Sequence, residues 1–261
     1  MARRSFLALL SFLALAGMVG AAPAAAPKPL RTLVYAIAYA TRARNEELTS
    51  GFTGAVNMGN ARGGQRLPAA ATAGDATVDR QADVSDDGTL TINVIAATGD
   101  GGLVVDAAFA GKTTTQPTIR VAIFADGRLS YDPRDTLSAQ AGRVLPLLAR
   151  GIIANRDVSP GSSWSTAVPF AQARGSTLYR VVHVDGERAE LAIERQMTVE
   201  GPRGFSEQDH GTATYATDRL CPLAFELDAY ARHQPAPDQY VTESAHLSAK
   251  LISDTFSKTA P

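Results

Sequence analysis

Cysteine is nearly absent from this chain of 261 residues: Cys221 stands alone. No internal disulfide can form, so the fold must rest on its packed core. Cys221 lies between Leu220 and Pro222 and reads as a small buried apolar residue. An excess of either charge is also lacking, with 25 Lys+Arg against 26 Asp+Glu and a formal net charge of −1. Setting aside Arg3 and Arg4 leaves 25 − 2 = 23 basic side chains against 26 acidic ones, or −3. No basic cluster beyond Arg42 and Arg44 offsets this balance, which excludes strong attraction to nucleic acid or to an anionic membrane surface. Past the N-terminus no apolar run approaches the roughly 20 residues of a membrane-spanning helix, so no transmembrane segment is expected.

Catalytic signatures are missing as well. There is no Gly-x-Ser-x-Gly elbow, and Gly161-Ser162-Ser163-Trp164 reads as the entry to a strand after a turn. The glycines at Gly51, Gly54 and Gly59 lack the spacing and the preceding strand of a phosphate loop. Asp83 to Thr89 fits the first half of a calcium loop, but its twelfth position is Val94 rather than Glu, so a hairpin turn is expected there. The histidines are His183, His210, His233 and His246. A turn over Thr217–Leu220 sets His210 opposite about residue 227, and one near Pro235–Asp238 sets His246 opposite about residue 226. The two then lie on opposite faces, about 10 Å apart across one strand. No metal site, no cofactor and no catalytic residue is expected from these patterns. Glu226 and Asp228 share a polar strand face and read as solvated.

What the chain does have begins at its N-terminus. Arg3 and Arg4 precede an apolar run from Phe6 to Ala16, followed by Gly20-Ala21-Ala22-Pro23-Ala24-Ala25-Ala26. This is the layout of a secretory signal peptide over residues 1–26, with cleavage expected between Ala21 and Ala26. Leu15-Ala16-Gly17 resembles the start of a lipobox, but Met18 occupies the position of the lipid-bearing cysteine. An exported protein, periplasmic or secreted and not lipid-anchored, is therefore expected. Residues 27–261 are expected to form a single β-rich domain.

Beyond Leu30 the dominant hydrophobic period is two, the signal of half-buried strands. Leu223, Phe225, Leu227 and Ala229 alternate with Ala224, Glu226, Asp228 and Tyr230. Leu90, Ile92 and Val94 repeat the pattern, as do Ile119, Val121 and Ile123, then Leu191 and Ile193. Asp87-Gly88, Asp126-Gly127 and Asp185-Gly186 fall between such runs as hairpin turns, and Asp100-Gly101-Gly102 and Pro235–Asp238 mark further reversals. Successive hairpins without intervening long helices predict an antiparallel meander rather than βαβ units. Only from Asp135 to Gly151 does the period become helical, through Leu137, Ala141, Val144, Leu145 and Leu148, with Asp135 as the expected N-cap. Pro146 inside that run predicts a kinked helix or two short ones. Asn45 to Gly74, rich in Gly and Ala, reads as a long loop with at most a short strand near Phe52–Val56. The expected fold is thus mainly antiparallel β (α+β), a single strongly curved sheet or half-barrel with one kinked helix packed against it. Trp164 is expected to pin the strand after the helix.

The order Ile119–Ala125, Asp126-Gly127, Asp135–Gly151 and Val158-Ser159-Pro160-Gly161-Ser162-Ser163-Trp164 resembles that of uncharacterised exported bacterial proteins. Their sheet is similar to that of the LolA/LppX-type lipoprotein carriers. Tyr215 to Leu223 resembles their tight turn between two long C-terminal strands. The resemblance runs from Thr89 to the C-terminus and implies a curved sheet cupping a helix, often with an apolar concavity. It implies no catalytic residues.

Three charges fall in phase with the apolar side of their strands. Arg80 aligns with Val78, Ala82 and Val84; Arg195 with Leu191, Ile193, Met197 and Val199; Glu243 with Val241, Ala245, Leu247 and Ala249. An inward charge in a packed core is costly unless it is paired or faces a wet cavity. Arg80, Arg195 and Glu243 are therefore the candidate ligand-binding residues, for a lipid or other amphiphilic small molecule in the concavity. Structurally, the same phase could arise from a bulge, from side chains snorkelling at strand ends, or from an Arg195–Glu243 pair. Non-enzymatic ligand binding leads; an envelope protein-protein interaction module and a hydrolase are the alternatives.

Overall fold

A computed structural model describes residues 28–47, 78–80, 83–167, 173–199, 204–236 and 239–256. The expected signal segment and most of the loop read over 45–74 lie outside these residues. The chain builds one antiparallel sheet of thirteen strands. Its first strand, β1 (Arg31–Glu47), runs on through Asn45 to Glu47, the first residues of the expected loop. Leu33, Tyr35, Ile37 and Tyr39 are buried on one face of β1, while Ala36, Ala38 and Ala40 are exposed on the other. That period of two is why the segment is a strand with one wet side.

Next come β2 (Val78–Arg80), β3 (Val84–Ser85), β4 (Gly88–Ala97), β5 (Leu103–Gly111), β6 (Thr115–Ile123) and β7 (Leu129–Tyr131). After a helical stretch follow β8 (Ser163–Ala167), β9 (Ala173–Asp185), β10 (Arg188–Val199), β11 (Phe205–Ala216), β12 (Cys221–Ala236) and β13 (Gln239–Asp254). The spatial order is β7-β6-β5-β4-β1-β13-β12-β11-β10-β9-β8, with β2 and β3 also on β1. Two meanders, β4 to β7 and β8 to β13, are joined by β1, which pairs with β13 from Leu33↔Asp254 to Glu47↔Gln239.

Most expected turns hold. Asp126-Gly127 turns β6 into β7 with Gly127 at φ 90, and Asp185-Gly186 turns β9 into β10 with Gly186 at φ 56. A positive φ is the conformation glycine adopts without penalty. Asp87-Gly88 is different. β3 and β4 do not pair with each other but lie end to end along β1, at Ala40↔Ser85 and Ile37↔Gly88. The Asp86-Asp87 step is an interruption in one line of strand along β1, not a hairpin. Asp86 is buried there, its carboxylate accepting from the Thr113 N–H at 2.9 Å while its own N–H donates to the Tyr39 carbonyl at 2.8 Å.

The helical stretch is shorter than its period suggests. The α-helix α1 spans only Ala139–Val144, followed by 3₁₀ turns at Leu145–Leu148 and Arg150–Ile152. Pro146 has no N–H to return to the Gly142 carbonyl, so the α-helix ends at the preceding turn. Its N-cap is Ser138 rather than Asp135: the Ser138 hydroxyl accepts from the Ala141 N–H at 3.2 Å. Ala141, Val144, Leu145 and Leu148 are buried on the concave side of the sheet, in one cluster with Tyr35, Leu90, Ile92, Val121 and Leu191. Each large side chain so buried contributes about 1.5–3 kcal/mol. Trp164 stacks on Tyr179 at 5.8 Å between ring centroids, tying β8 to β9.

Candidate functional site: a cavity under the helix

The apolar face of the sheet is not filled everywhere by the helix. A cavity of about 380 Å³ opens between α1 and the concave face. Its floor comes from Tyr179 on β9, Ile193 on β10 and Leu227 on β12, and its roof from Leu137, Pro146 and Leu147. Gly211 stands between Ile193 and Leu227 in the register, on the same inward face. A Cβ there would lie 1.9 Å from the Glu226 carbonyl oxygen, so the strands approach too closely for any side chain. The lining residues that are exposed, Asp126, Arg128, Tyr131 and Ala167, form the rim. Tyr131 belongs to β7 and Ala167 to β8, the opposite edges of the sheet. The sheet therefore curls far enough for its two edges to border one opening.

One side of the cavity is charged. Arg195 points inward with Ile193, and directly across from it on β11 stands Asp209. Arg195 Nη2 lies 2.5 Å from Asp209 Oδ2 and donates to Glu207 Oε1 at 3.0 Å. From the helix side, Arg143 Nη1 donates to the same Glu207 oxygen at 2.9 Å and lies 3.6 Å from Asp209 Oδ1. The side chains of Glu207 and Asp209 are 9% and 4% exposed. Burial pushes the Asp209 carboxyl up to about 6; Glu207 adds to the rise, while Arg195 and Arg143 oppose it. Burial works against the Arg143 charge, but the attraction of Glu207 and Asp209 outweighs it and holds that pKa above its ordinary value. Two polar atoms of the cluster, Arg195 Nε and Asp209 Oδ1, are buried without a hydrogen bond.

Of the three sequence candidates, Arg195 lines the cavity and Glu243 does not. The carboxylate partners of Arg195 are Glu207 and Asp209, not Glu243. Glu243 is half-buried, opposite Ala43 and Ala231, where it accepts from the Thr41 hydroxyl at 2.9 Å. Arg80 pairs with Arg44 in the backbone register of β1 and β2, and its side chain is outside the described residues. Arg143, Glu207 and Asp209 were missed. The signal for the two carboxylates was present, since they are in phase with Ala213 and Tyr215 on β11, both buried.

The histidine register needs correction. His210 and His246 both stand opposite Asp228, in one row across β11, β12 and β13, and so on the same, exposed face. His246 Nδ1 is 2.7 Å from Asp228 Oδ1, and His210 Nε2 is 3.8 Å from Asp228 Oδ2. A bulge between Thr214 and Tyr215 adds one residue to the β11–β12 register, which moves His210 to the other face. Among the described residues no group of three His, Cys, Asp or Glu is placed to hold a metal ion, and no helix is long and apolar enough to cross a membrane.

No family model matches the chain, and no curated protein matches it. Among solved structures, it is similar to one titled "lipid-protein interactions in lipovitellin", with a TM-score of 0.43 and 9% identity. That alignment covers 90% of this chain and 26% of the other, so the chain spans about a quarter of its length. The likeness is of a large antiparallel sheet and is too distant to assign a function.

Proposed function

We propose that this protein is a non-enzymatic binder of a small apolar or amphiphilic ligand, held between α1 and the concave face of the sheet. The observation that carries this reading is the cavity itself. Sequence alternation supplies a packed interior across most of the sheet, yet beside Ile193 and Leu227 the interior is left open toward the rim. Its volume of about 380 Å³ falls at the small end of the range for ligand pockets, roughly 300–1,000 Å³. That suits a single-chain or compact molecule better than a two-chain lipid. The lining is mainly apolar, with the buried charge cluster at one side and Asp126 and Arg128 at the rim, an arrangement that orients an amphiphile. The reading includes export by the segment from Arg3 to Ala26, so the ligand would be met outside the cytoplasm.

The test uses the neutral fluorophore N-phenyl-1-naphthylamine on the full chain. Saturable one-to-one binding is expected. Two variants should weaken it at least tenfold: Ile193→Trp, which fills the floor, and Ala167→Trp, which obstructs the rim without entering the core. Thermal unfolding of each reports whether the fold survives. Undiminished binding in a folded Ala167→Trp and a folded Ile193→Trp would sink the proposal, as would no saturable binding to the parent chain.

A further inference from the structure

The cavity offers its ligand a charge cluster that is already balanced. Arg143 and Arg195 face Glu207 and Asp209, two formal positive charges against two negative, all within 3.6 Å of an opposite partner. What the cluster leaves unused is one donor and one acceptor. Arg195 Nε carries a buried N–H with no acceptor, and Asp209 Oδ1 is a buried acceptor with no donor. Arg143 Nη1 lies 3.6 Å from that oxygen, beyond hydrogen-bond range. Both residues line the cavity. Buried polar atoms of this kind normally have partners, and leaving them bare costs free energy that a bound group can recover.

We infer that the ligand's polar end is uncharged and both donates and accepts a hydrogen bond, donating to Asp209 Oδ1 and accepting from Arg195 Nε. This rests on the ligand-binding reading above and names the head group for it. A hydroxyl meets the requirement with a single oxygen, and a primary amide meets it with its two ends. A carboxylate or phosphate does not: it has no proton for Asp209, and it would enter beside two carboxylates whose charge the arginines already neutralise. An alkylammonium fails in the opposite sense, because it has no lone pair for Arg195 and would face two guanidinium groups. The apolar floor of Tyr179, Ile193 and Leu227 then takes a single tail.

The experiment compares three probes with one tail, 1-decanol, decanoate and decylammonium, by displacement of N-phenyl-1-naphthylamine at pH 8. Decanol is expected to bind at least tenfold more tightly than either ion. In Asp209→Asn the cluster gains one net positive charge, and decanoate is expected to improve at least tenfold relative to decanol. If all three bind the parent chain equally, or if decanoate leads, the head-group inference falls while the ligand-binding reading stands. If none displaces the fluorophore although it binds saturably, the single-tail amphiphile is wrong and the inference falls with it. Arg195→Lys provides a second readout should Asp209→Asn fail to fold. It keeps the charge but removes the planar Nε–H, so decanol should weaken at least fivefold while decanoate stays within twofold. An unchanged decanol affinity in that variant would overturn the inference.

Discussion

The phenol of Tyr215, on β11, donates to the carbonyl of Leu147 at 2.9 Å, and both groups are buried. Leu147 lies in the 3₁₀ turn that follows α1 and contributes to the roof of the cavity. Pro146 ends the regular α-helical bonding there, so a side chain from the sheet supplies what the helix cannot. Tyr215→Phe would leave that carbonyl buried and unpaired, at a cost of about 1–3 kcal/mol. Urea unfolding of the two proteins measures it. A loss under about 0.5 kcal/mol would mean that the turn is held by packing alone.

Asp209 makes stability depend on pH in an unusual direction. Its carboxyl is raised from 3.8 to about 6 in the folded chain. A raised value favours the protonated folded state, so this contribution is fully present below about 4 and is lost as pH rises through about 6. The shift corresponds to about 3 kcal/mol. Asp209→Asn removes the titration, so the stability of the parent minus that of the variant should fall by that order between pH 3.5 and 7. Denaturant melts at several pH values give the difference, and a flat or rising difference would contradict the assignment.

The cluster also limits what Arg195 substitutions can report. Arg195→Met leaves Glu207 and Asp209 with Arg143 alone and should destabilise the chain by about 2–4 kcal/mol, since removing one partner strands a buried charge. The pair Arg195→Met with Asp209→Leu removes both the charge and its partner, and should recover at least half of that loss. Thermal or urea unfolding of the single and double variants decides this. A double variant less stable than the single would show that Asp209 is held chiefly by Arg143.

Which features were legible in the sequence follows from how local each one is. The alternation at Leu90–Val94, Ile119–Ile123, Leu191–Ile193 and Phe225–Ala229 is a property of each strand alone, and all of these inward residues are buried. Turns such as Asp126-Gly127 carry their own backbone requirement. The pairing of β1 with β13 has no such signal, because it joins segments some two hundred residues apart in sequence, such as Leu33 and Asp254. Register across long hairpins was equally opaque. A single bulge in β12, where Leu223 is left unpaired between Pro222 and Ala224, sets His210 opposite Asp228 rather than residue 227, and nothing in the residue types announces it. Of the site, Arg195 was visible as a charge out of place, whereas its partners required the β10–β11 register that sets Asp209 opposite it.

The β1–β13 junction is closed at one end by a second ion pair, and that pair should govern acid unfolding. Arg31, the first residue of β1, donates from Nε and Nη2 to the two oxygens of Asp254, the last residue of β13, both at 2.9 Å. The same guanidinium reaches the Cys221 sulfur at 3.1 Å and the Arg219 carbonyl at 3.0 Å, so it ties the β11–β12 turn to both strands. The Asp254 side chain is only 5% exposed. Burial alone would raise its pKa, but the hydrogen bonds from Arg31 and from the Phe256 N–H outweigh burial and hold it below 3.8. A lowered carboxyl contributes stability above its unfolded value and loses it as pH falls through the folded value. Arg31→Met should therefore cost about 3 kcal/mol at pH 7 and less at pH 2.5, where Asp254 is protonated in the variant. Lys cannot reproduce the two-pronged contact, so Arg31→Lys should recover less than half of the loss. Equal destabilisation by Arg31→Met at pH 7 and pH 2.5 would show that the arginine acts through packing over Phe256, whose ring its guanidinium covers at 5.1 Å, rather than through its charge.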